Sequence, residues 1–304
     1  MRLCLTGSGW QLSHLADSVP RRLSNEVTDV DALPATAEYD TRKESYSNMN
    51  DWLNMLVRRR IAQAREAGER LPAEMAWVAD NDHCVYQRRF KPFVFLIIAV
   101  SIYGIAQTSS PLALLVTFVA MYFYIDFYSG VLHIVLDNPR FVNLPLIGVP
   151  CVEFQWHHTF AYDISTRTIF DVWGDLNVLL LAKSIFLFGI LGPTTTAFTV
   201  AGVGYALGYA NQFSHRLAHT APRRRPKFAV WLQEHRILLP PEVHHQHHAD
   251  YTQSFPVLSG HSRGVLQWML QRLPNGYVWL ALFLILSALD LVAIAWLFDH
   301  IWSS

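Results

Sequence analysis

The chain has 304 residues, of which 52% are hydrophobic and 16% charged, and its formal net charge at pH 7 is zero. A neutral chain has no overall positive field for nucleic acid, and three widely spaced cysteines (Cys4, Cys84, Cys151) indicate neither a disulfide framework nor a cysteine-based zinc site. The apolar residues are bunched into long runs, several with tryptophan at their ends, which indicates an integral membrane protein.

Residues 1–91 are polar and of mixed charge. The acids Asp17, Glu26 and Asp29 argue against a transit peptide, and the region shows no apolar core of a signal peptide. Residues 48–70 predict an amphipathic helix. We therefore predict a polar N-terminal region over 1–91 with no assigned chemistry, followed by a membrane domain over 92–304.

The first apolar run, Phe93–Ala106, follows a basic cluster at residues 88–91. By the positive-inside rule this cluster stays in the cytosol. As a helix the run is about 22 Å long, shorter than a hydrocarbon core of roughly 30 Å. Ser109, Ser110 and Pro111 then mark a turn into the next helix.

The second run extends from Pro111 to Asp137, about 40 Å as a helix, so its last two turns emerge on the cytosolic side. These turns carry His133 and Asp137, whose i, i+4 spacing lets both reach one metal ion; a hydrogen-bonded pair is the alternative. Asp126 and Gly130 share a face. Gly130 permits close approach of a neighbour, and Asp126 is either a site residue or an interfacial acid bonded to a neighbour.

Residues 138–176 contain no membrane-length run and are expected to be exposed. His157 and His158 are adjacent, so on a helix they point about 100° apart and suit two metals, or one metal and a supporting bond. Arg167 lies among acids that include Asp171 and Asp175. It predicts a salt bridge, with a lipid phosphate as the alternative partner.

A second membrane hairpin is predicted over Asn177–Gly192 and Thr195–Phe213. Lys183 in its first helix can snorkel to the membrane surface, so its charge does not require a functional role. The second helix is rich in glycine and alanine, which favours close helix packing. It leads into His215 and His219 at i, i+4, the same arrangement as at the end of the earlier helix.

Residues 220–276 open with a basic cluster at 223–227, a topology signal that also offers a contact for anionic headgroups. The run Pro240–His248 follows, and three of its four imidazoles are spaced to share one helix face; a solvated histidine-rich surface is the alternative. The last span, Tyr277–Trp302, carries Asp290. An acid at mid-span costs about 2.5–3.5 kcal/mol, so we expect it to bond a neighbouring helix or line a cavity.

Counting crossings from a cytosolic N terminus brings all these histidine-bearing segments to one face. The predicted fold is an all-α integral membrane protein with four to five transmembrane helices and a cytosolic, histidine-rich di-iron cap. The predicted metal ligands are His133, Asp137, His157, His158, His215, His219, His244, His247 and His248. Residues expected to orient ligands or contact substrate are Asp126, Ser129, Arg167, Asp175, Asn177, Asn211 and His245.

Nine donors exceed the four that one zinc ion needs and suit two Fe2+ ions with positions left open for oxygen. Paired iron beside apolar helices predicts oxidation of an unactivated C–H bond in a lipid chain. A zinc-dependent membrane enzyme is an alternative, although the chain lacks H-E-x-x-H. A metal transporter is another, although its ligands would be expected to line a path through the bilayer.

These residues resemble the lipid desaturase domain family, which includes Kua-type plasmanylethanolamine desaturases, bacterial CarF and plant chloroplast palmitate trans-desaturases. The resemblance covers roughly residues 112–262. Its segments are Asp126–His133 with Asp137, Phe154–His158 with Thr166-Arg167, Gly174-Asp175 with Asn177, Asn211–Phe213 with His215 and His219, Leu232-Gln233, and Pro240–His248.

The resemblance implies an O2-dependent, iron-dependent desaturase of a phospholipid chain, with a cytochrome b5 or ferredoxin-type electron donor. Gly174-Asp175-x-Asn177 is more similar to the plasmalogen-forming branch, which makes a vinyl-ether bond. The segment Phe154–His158 and Ser259-Gly260 are more similar to the plant branch, which puts a trans double bond into a palmitoyl chain. We expect the vinyl-ether reaction, with the acyl reaction as the alternative.

The implied location is the endoplasmic reticulum in a eukaryote or the inner membrane in a bacterium. The chain departs from the family in Ser214, an extra residue before His215, and in its C-terminal span.

Overall fold

The computed structural model describes residues 62–63, 66–68, 91–108, 110–159, 163–250 and 254–303. Every regular element within these ranges is helical, which confirms the predicted all-α class. Apart from the two short fragments, the predicted amphipathic helix at 48–70 and the polar N-terminal region lie outside the described residues.

The helices follow one another closely along the chain. In order they are α1 (Phe93–Ala106), α2 (Pro111–Leu136), α3 (Gly148–Thr159), α4 (Asp163–Thr166), α5 (Ile169–Leu191), α6 (Thr195–Ala218), α7 (Lys227–Glu234), α8 (Pro241–Ala249), α9 (Arg263–Arg272) and α10 (Gly276–Ser303), with 3-10 turns at Pro139–Phe141 and Pro222–Arg224.

The starts of two long helices show how local sequence sets their bounds. Helix α2 begins where predicted, because Ser110 accepts a hydrogen bond from the Ala113 amide and Pro111 occupies the first helical position. Helix α5 begins eight residues before the predicted Asn177 start. Thr168 caps it by accepting from the Asp171 amide at 3.3 Å, so the polar first two turns are helical too.

Within the part of the chain that the structure describes, three helices, α2, α5 and α10, are long and apolar enough to cross a membrane, and α1 is a shorter apolar helix. Fewer helices meet this criterion of length and apolarity than the four to five transmembrane helices that were predicted. Helix α6 packs against all four of these helices, and most of its residues are buried. Because other helices surround α6, its small residues pack against protein. Its sequence can therefore be less hydrophobic than that of a helix that faces lipid.

Glycines bring α1 and α6 together. A Cβ on Gly104 would overlap the Phe198 carbonyl, and a Cβ on Gly202 would lie 3.1 Å from the Gly104 Cα. Side chains at either position would push the helices apart. The close packing predicted for α6 from its glycine content is thereby confirmed.

Lys183 does not snorkel to the membrane surface. Its side chain is 4% exposed and forms an ion pair with Asp290 of α10, whose side chain is 2% exposed. Tyr124 of α2 donates its hydroxyl to the same carboxylate at 2.5 Å. Asp290 therefore bonds neighbouring helices, one of its two predicted alternatives, and the ion pair holds α2, α5 and α10 together inside the bundle.

Residues 138–176 are less exposed than predicted. Phe141, Cys151 and Val152 are at most 1% exposed and pack in one cluster with Val135 near the end of α2. The segment lacks a membrane-length run because it folds over the bundle as short helices. This packing seats α3 beside the last turn of α2, where the predicted ligands lie.

Candidate metal centre

Two groups of side chains that could hold a metal ion meet at one end of the bundle. We call them cluster A, which contains His157, His219, His244 and His248, and cluster B, which contains His133, Asp137, His158 and His247. In each cluster one donor atom from every residue lies within 4.8 Å of the others.

The helices divide their ligands between the clusters in a regular way. Helix α2 serves only cluster B and the end of α6 only cluster A, whereas α3 and α8 serve both. Adjacent residues of a helix point about 100° apart, so His157 and His158 enter different clusters, as do His247 and His248. The clusters adjoin, because the His158 and His248 rings lie 4.7 Å apart between centroids.

In cluster A the imidazole nitrogens converge. The Nε2 atoms of His219 and His244 face each other, and Nε2 of His248 lies 3.1 Å from that of His244. Nε2 of His157 is buried and has no hydrogen-bond partner among the described residues. Neutral imidazoles whose ring nitrogens point at one another have too few N–H protons for every nitrogen to form a hydrogen bond. A metal ion at the centre would accept the lone pairs of these nitrogens.

In cluster B the Asp137 carboxylate lies at the centre. Its Oδ1 lies 2.7 Å from His158 Nε2, and its Oδ2 lies 3.0 Å from His133 Nδ1 and 3.3 Å from His247 Nε2. Burial alone would raise the pKa of Asp137, but His158 and His133 beside it lower that pKa well below its usual range. The carboxylate is therefore ionised and available to a cation.

His215 lies beside both clusters without belonging to either. Its ring centroid is 4.6 Å from that of His157, 4.8 Å from that of His244 and 5.8 Å from that of His133. Its Nε2 is buried and has no partner within the described chain. All nine predicted ligands are thus gathered at one end of the bundle, and His215 lies next to cluster A.

The donor set fits transition-metal ions. Eight imidazoles and one carboxylate form a nitrogen-rich set of borderline softness that suits Fe2+ and Zn2+ better than Mg2+ or Ca2+. Burial, followed by repulsion from neighbouring imidazoles, holds the pKa of His157, His244 and His248 well below its usual range. Neutral imidazoles are the form that binds metal.

One contributor to the site was missed by sequence reasoning. Phe255 is 1% exposed, stacks on His247 with ring centroids 4.4 Å apart and contacts His244 at 4.8 Å and His133 at 5.3 Å. It limits the movement of imidazoles from both clusters. A phenylalanine seven residues after the histidine run carries no spacing signal that would have identified it.

The segment that follows α8 is held against α2 by Asp126 and Ser129. Asp126 Oδ1 accepts from the Ser259 and Gly260 amides, and Oδ2 accepts from the amide and hydroxyl of Ser262. Ser129 Oγ accepts from the Val257 amide at 2.9 Å. Both side chains bond backbone of this segment, as the interfacial alternative for Asp126 predicted.

Gly130 and Ser214 complete this attachment. A Cβ on Gly130 would collide with Leu266 and lie 3.4 Å from the Pro256 nitrogen, so the predicted close approach is made by the segment itself. Ser214 donates to the Leu258 carbonyl and accepts from the Leu239 amide, both at 2.9 Å. Ser214 therefore joins the segments on both sides of α8.

Replacing Asp126 with alanine is expected to lower the free energy of unfolding by about 3 kcal/mol, because several charge-assisted bonds to buried and half-buried donors are lost together. The midpoint of thermal unfolding in detergent measures this effect. Ser262→Ala is the matched control, since it removes one of the four bonds and should cost about 1 kcal/mol. Equal effects of the two substitutions would contradict the proposed role of the carboxylate.

The remaining predicted residues lie around the clusters. Arg167 is 3% exposed and forms a two-pronged ion pair with Asp175, which matches the predicted salt bridge. Asn177 accepts from the Tyr209 hydroxyl at 2.7 Å. Asn211 has a buried Oδ1 with no partner among the described residues, whereas His245 is exposed and belongs to neither cluster.

The metal-free protein is expected to lose stability as the pH falls from about 7.5 to 5.5. An unfolded histidine gains a proton near pH 6.5, whereas the buried imidazoles of cluster A resist protonation because their pKa values are lowered. Below pH 6.5 the unfolded chain therefore binds more protons than the folded chain. Each imidazole that stays neutral in the folded protein then lowers the free energy of unfolding by about 1.4 kcal/mol per pH unit. Asp137 is ionised in both states throughout this window.

Thermal unfolding of chelator-treated protein in detergent tests this pH dependence. His244→Ala should show a shallower fall than the parent chain, because one buried imidazole is gone. A midpoint that stays constant between pH 7.5 and 5.5 would contradict the prediction.

Comparison with known proteins adds to this geometry. The sequence model of the lipid desaturase domain matches residues 122–275, which contain both clusters and His215. Over 155 residues the chain is 29% identical to Fatty acid desaturase 4, chloroplastic, of Arabidopsis thaliana, covering 48% of this chain and 46% of that protein. Over 148 residues it is 27% identical to Fatty acid desaturase 4-like 1, chloroplastic, of the same plant, covering 46% of this chain and 48% of that protein.

The chain therefore spans about half the length of these curated relatives. No solved structure matches it.

Proposed function

Because the chain belongs to the lipid desaturase domain family, we propose that it is a membrane-embedded, O2-dependent oxidoreductase that introduces a double bond into a phospholipid chain. The observation that carries the proposal is the pair of adjoining clusters at one end of an apolar helical bundle. Residues 92–304 would form the catalytic unit.

We propose two Fe2+ ions as the cofactor, one held by each cluster, with His215 as an additional donor. Bound iron would supply the activation of O2 and the removal of hydrogen from an unactivated carbon. In the net reaction, O2, two electrons and two protons convert a CH2–CH2 unit into CH=CH and two waters. The side chains of the two clusters would hold the ions, and the buried Phe255 and the buried Cys151 and Val152 of α3 pack around this end of the bundle, where they would limit access of water.

The relatives favour an acyl chain as the substrate, because both are named fatty acid desaturases. We therefore propose acyl-lipid desaturation first and vinyl-ether formation, which gives plasmalogens, second. The segment that resembled the plasmalogen branch has packing roles: Asp175 pairs with Arg167, and a Cβ on Gly174 would lie 3.2 Å from the Lys91 Cα. These contacts give Gly174 and Asp175 a structural role that does not involve a substrate headgroup.

We propose that the clusters face the cytosol or the equivalent inner side. In the sequence a basic cluster at 88–91 precedes α1, and another at 223–227 follows His219 of cluster A. Lys91, the described residue of the first cluster, forms an ion pair with Asp171 in the first turn of α5. In this orientation four to five helices enter the membrane, with α1 and α6 completing the three apolar spans. A cytochrome b5 or ferredoxin-type donor would deliver electrons from the same side.

The compartment would be the endoplasmic reticulum in a eukaryote or the inner membrane in a bacterium. The names of the relatives add the chloroplast membranes for a plant source.

Expression in a host that makes neither product tests the substrate. Lipids from cells with the parent chain should contain a new double bond in a phospholipid acyl chain, and cells with His133→Ala should lack it. A vinyl ether in place of an acyl double bond would establish the second substrate. Purified protein with one zinc per chain, and no new lipid in the host, would overturn the desaturase proposal.

A further inference from the structure

Helix α7 exposes large apolar side chains on the surface of the protein. Ala229 and Gln233 are 0% and 3% exposed and attach the helix to the bundle. Phe228 and Trp231, three residues apart and so on neighbouring positions of one face, are 60% and 52% exposed. An exposed apolar face of this size on a short helix indicates a surface that something apolar covers.

The position of this face identifies what covers it. The Tyr122 hydroxyl of α2 donates to the Ile237 carbonyl at 2.8 Å, and the Ile237 side chain is 40% exposed. The exposed large apolar side chains of α2 run from Leu112 to Phe123 and stop there. Ile237 and α7 therefore lie where the lipid-facing surface of this membrane helix ends, which is where the bilayer surface is expected.

Charge around the apolar face matches phospholipid headgroups. Arg224, Lys227 and Arg236 are exposed on the turn before α7, on its first residue and on the turn after it. Glu234 is the sole acid within α7. Aromatic side chains flanked by cations, on a helix too short to span, are typical of a helix that lies in the membrane surface.

We propose that residues 222–237 form an in-plane anchor that seats Phe228, Trp231 and Ile237 at the boundary between headgroups and acyl chains and binds phosphates of anionic phospholipids through Arg224, Lys227 and Arg236. Three large apolar side chains beside a lipid-facing helix favour the bilayer over an acidic soluble protein. The anchor follows His219 and precedes α8, so it holds these two of the three segments that contribute to cluster A at the depth of the lipid headgroups. It depends on membrane location and is independent of catalysis.

Photocrosslinking from within the full-length protein tests the anchor. Benzoylphenylalanine replaces Phe228 in the otherwise unchanged chain, reconstituted in nanodiscs of phosphatidylcholine alone or mixed with phosphatidylglycerol. Mass spectrometry after irradiation should find a lipid adduct several-fold more abundant than from the same probe at Glu234, which lies on another flank of α7. Phosphatidylglycerol should raise its share of the adduct above its share of the bilayer.

The basic residues are tested by combining the probe with Arg224→Gln, Lys227→Gln and Arg236→Gln. The enrichment of phosphatidylglycerol should then disappear while the phosphatidylcholine adduct remains. Absence of a lipid adduct at position 228, or equal adducts from positions 228 and 234, would overturn the anchor. An adduct with an added acidic ferredoxin in place of lipid would show a protein-docking surface, and an adduct without phosphatidylglycerol enrichment in the probe-only chain would overturn the anionic-lipid site.

Discussion

Replacing His244 with alanine is expected to reduce lipid desaturation by at least about 100-fold, because even residues that only support metal ligands contribute 10–100-fold. His244 is 0% exposed, and its Nε2 faces those of His219 and His248. Its removal takes one donor from cluster A and leaves cluster B with all four of its residues. Product formation in the expression host and metal content of the purified protein measure the two consequences.

The matched control for this substitution is His300→Ala. His300 is an exposed histidine near the far end of α10, its ring is 4.2 Å from that of Trp296, and its loss should leave activity unchanged. We expect the same of His14 and His83, which lie outside the described residues. Retained turnover in His244→Ala would show that this imidazole is not a ligand. Lost turnover in His300→Ala would show that residues outside the two clusters are needed for the reaction.

Neighbouring histidines on α8 allow the two clusters to be separated. His247 belongs to cluster B and His248 to cluster A. Each alanine variant should lose metal from its own cluster, whereas a single shared ion would be lost equally in both. The comparison uses adjacent positions on one helix, so differences in folding are kept small.

The grouping of the candidate ligands could be predicted from the sequence because helix geometry is local. His133 and Asp137 share a face through their i, i+4 spacing, and the spacing of His244 and His248 is the same. Apolar run lengths then place the ends of the long helices at similar depths. The spacing of residues within each helix and the lengths of the apolar runs together predicted that histidines from distant segments meet at one end of the bundle.

Partners that come from another segment could not be predicted in the same way. Nothing near Asp126 in the sequence indicates that its carboxylate accepts from the amides of Ser259, Gly260 and Ser262, since backbone donors carry no sequence signal. The burial of Cys151 in the segment between α2 and α5 likewise depends on packing rather than on a local pattern. The buried position of Lys183 could not be predicted either, because its partner Asp290 lies 107 residues away along the chain.

The ion pair between Lys183 and Asp290 leads to the largest expected change in stability. Lys183→Met keeps an unbranched side chain, one atom shorter than lysine, but leaves the Asp290 carboxylate, whose side chain is 2% exposed, without its cation. Removing one partner of a buried pair costs about 3–5 kcal/mol, because the remaining charge stays desolvated. The thermal unfolding midpoint in detergent and the yield of membrane-inserted protein should both fall strongly.

Removing both charges should restore most of this loss. In Lys183→Met/Asp290→Leu no charge is left buried, and replacement of a buried pair by apolar residues is often neutral or stabilising. The Tyr124 hydroxyl then lacks its acceptor, which limits recovery to within about 1 kcal/mol of the parent. A double variant less stable than either single variant would show that the pair itself stabilises the bundle beyond offsetting its own desolvation, and that α2, α5 and α10 depend on it for their association.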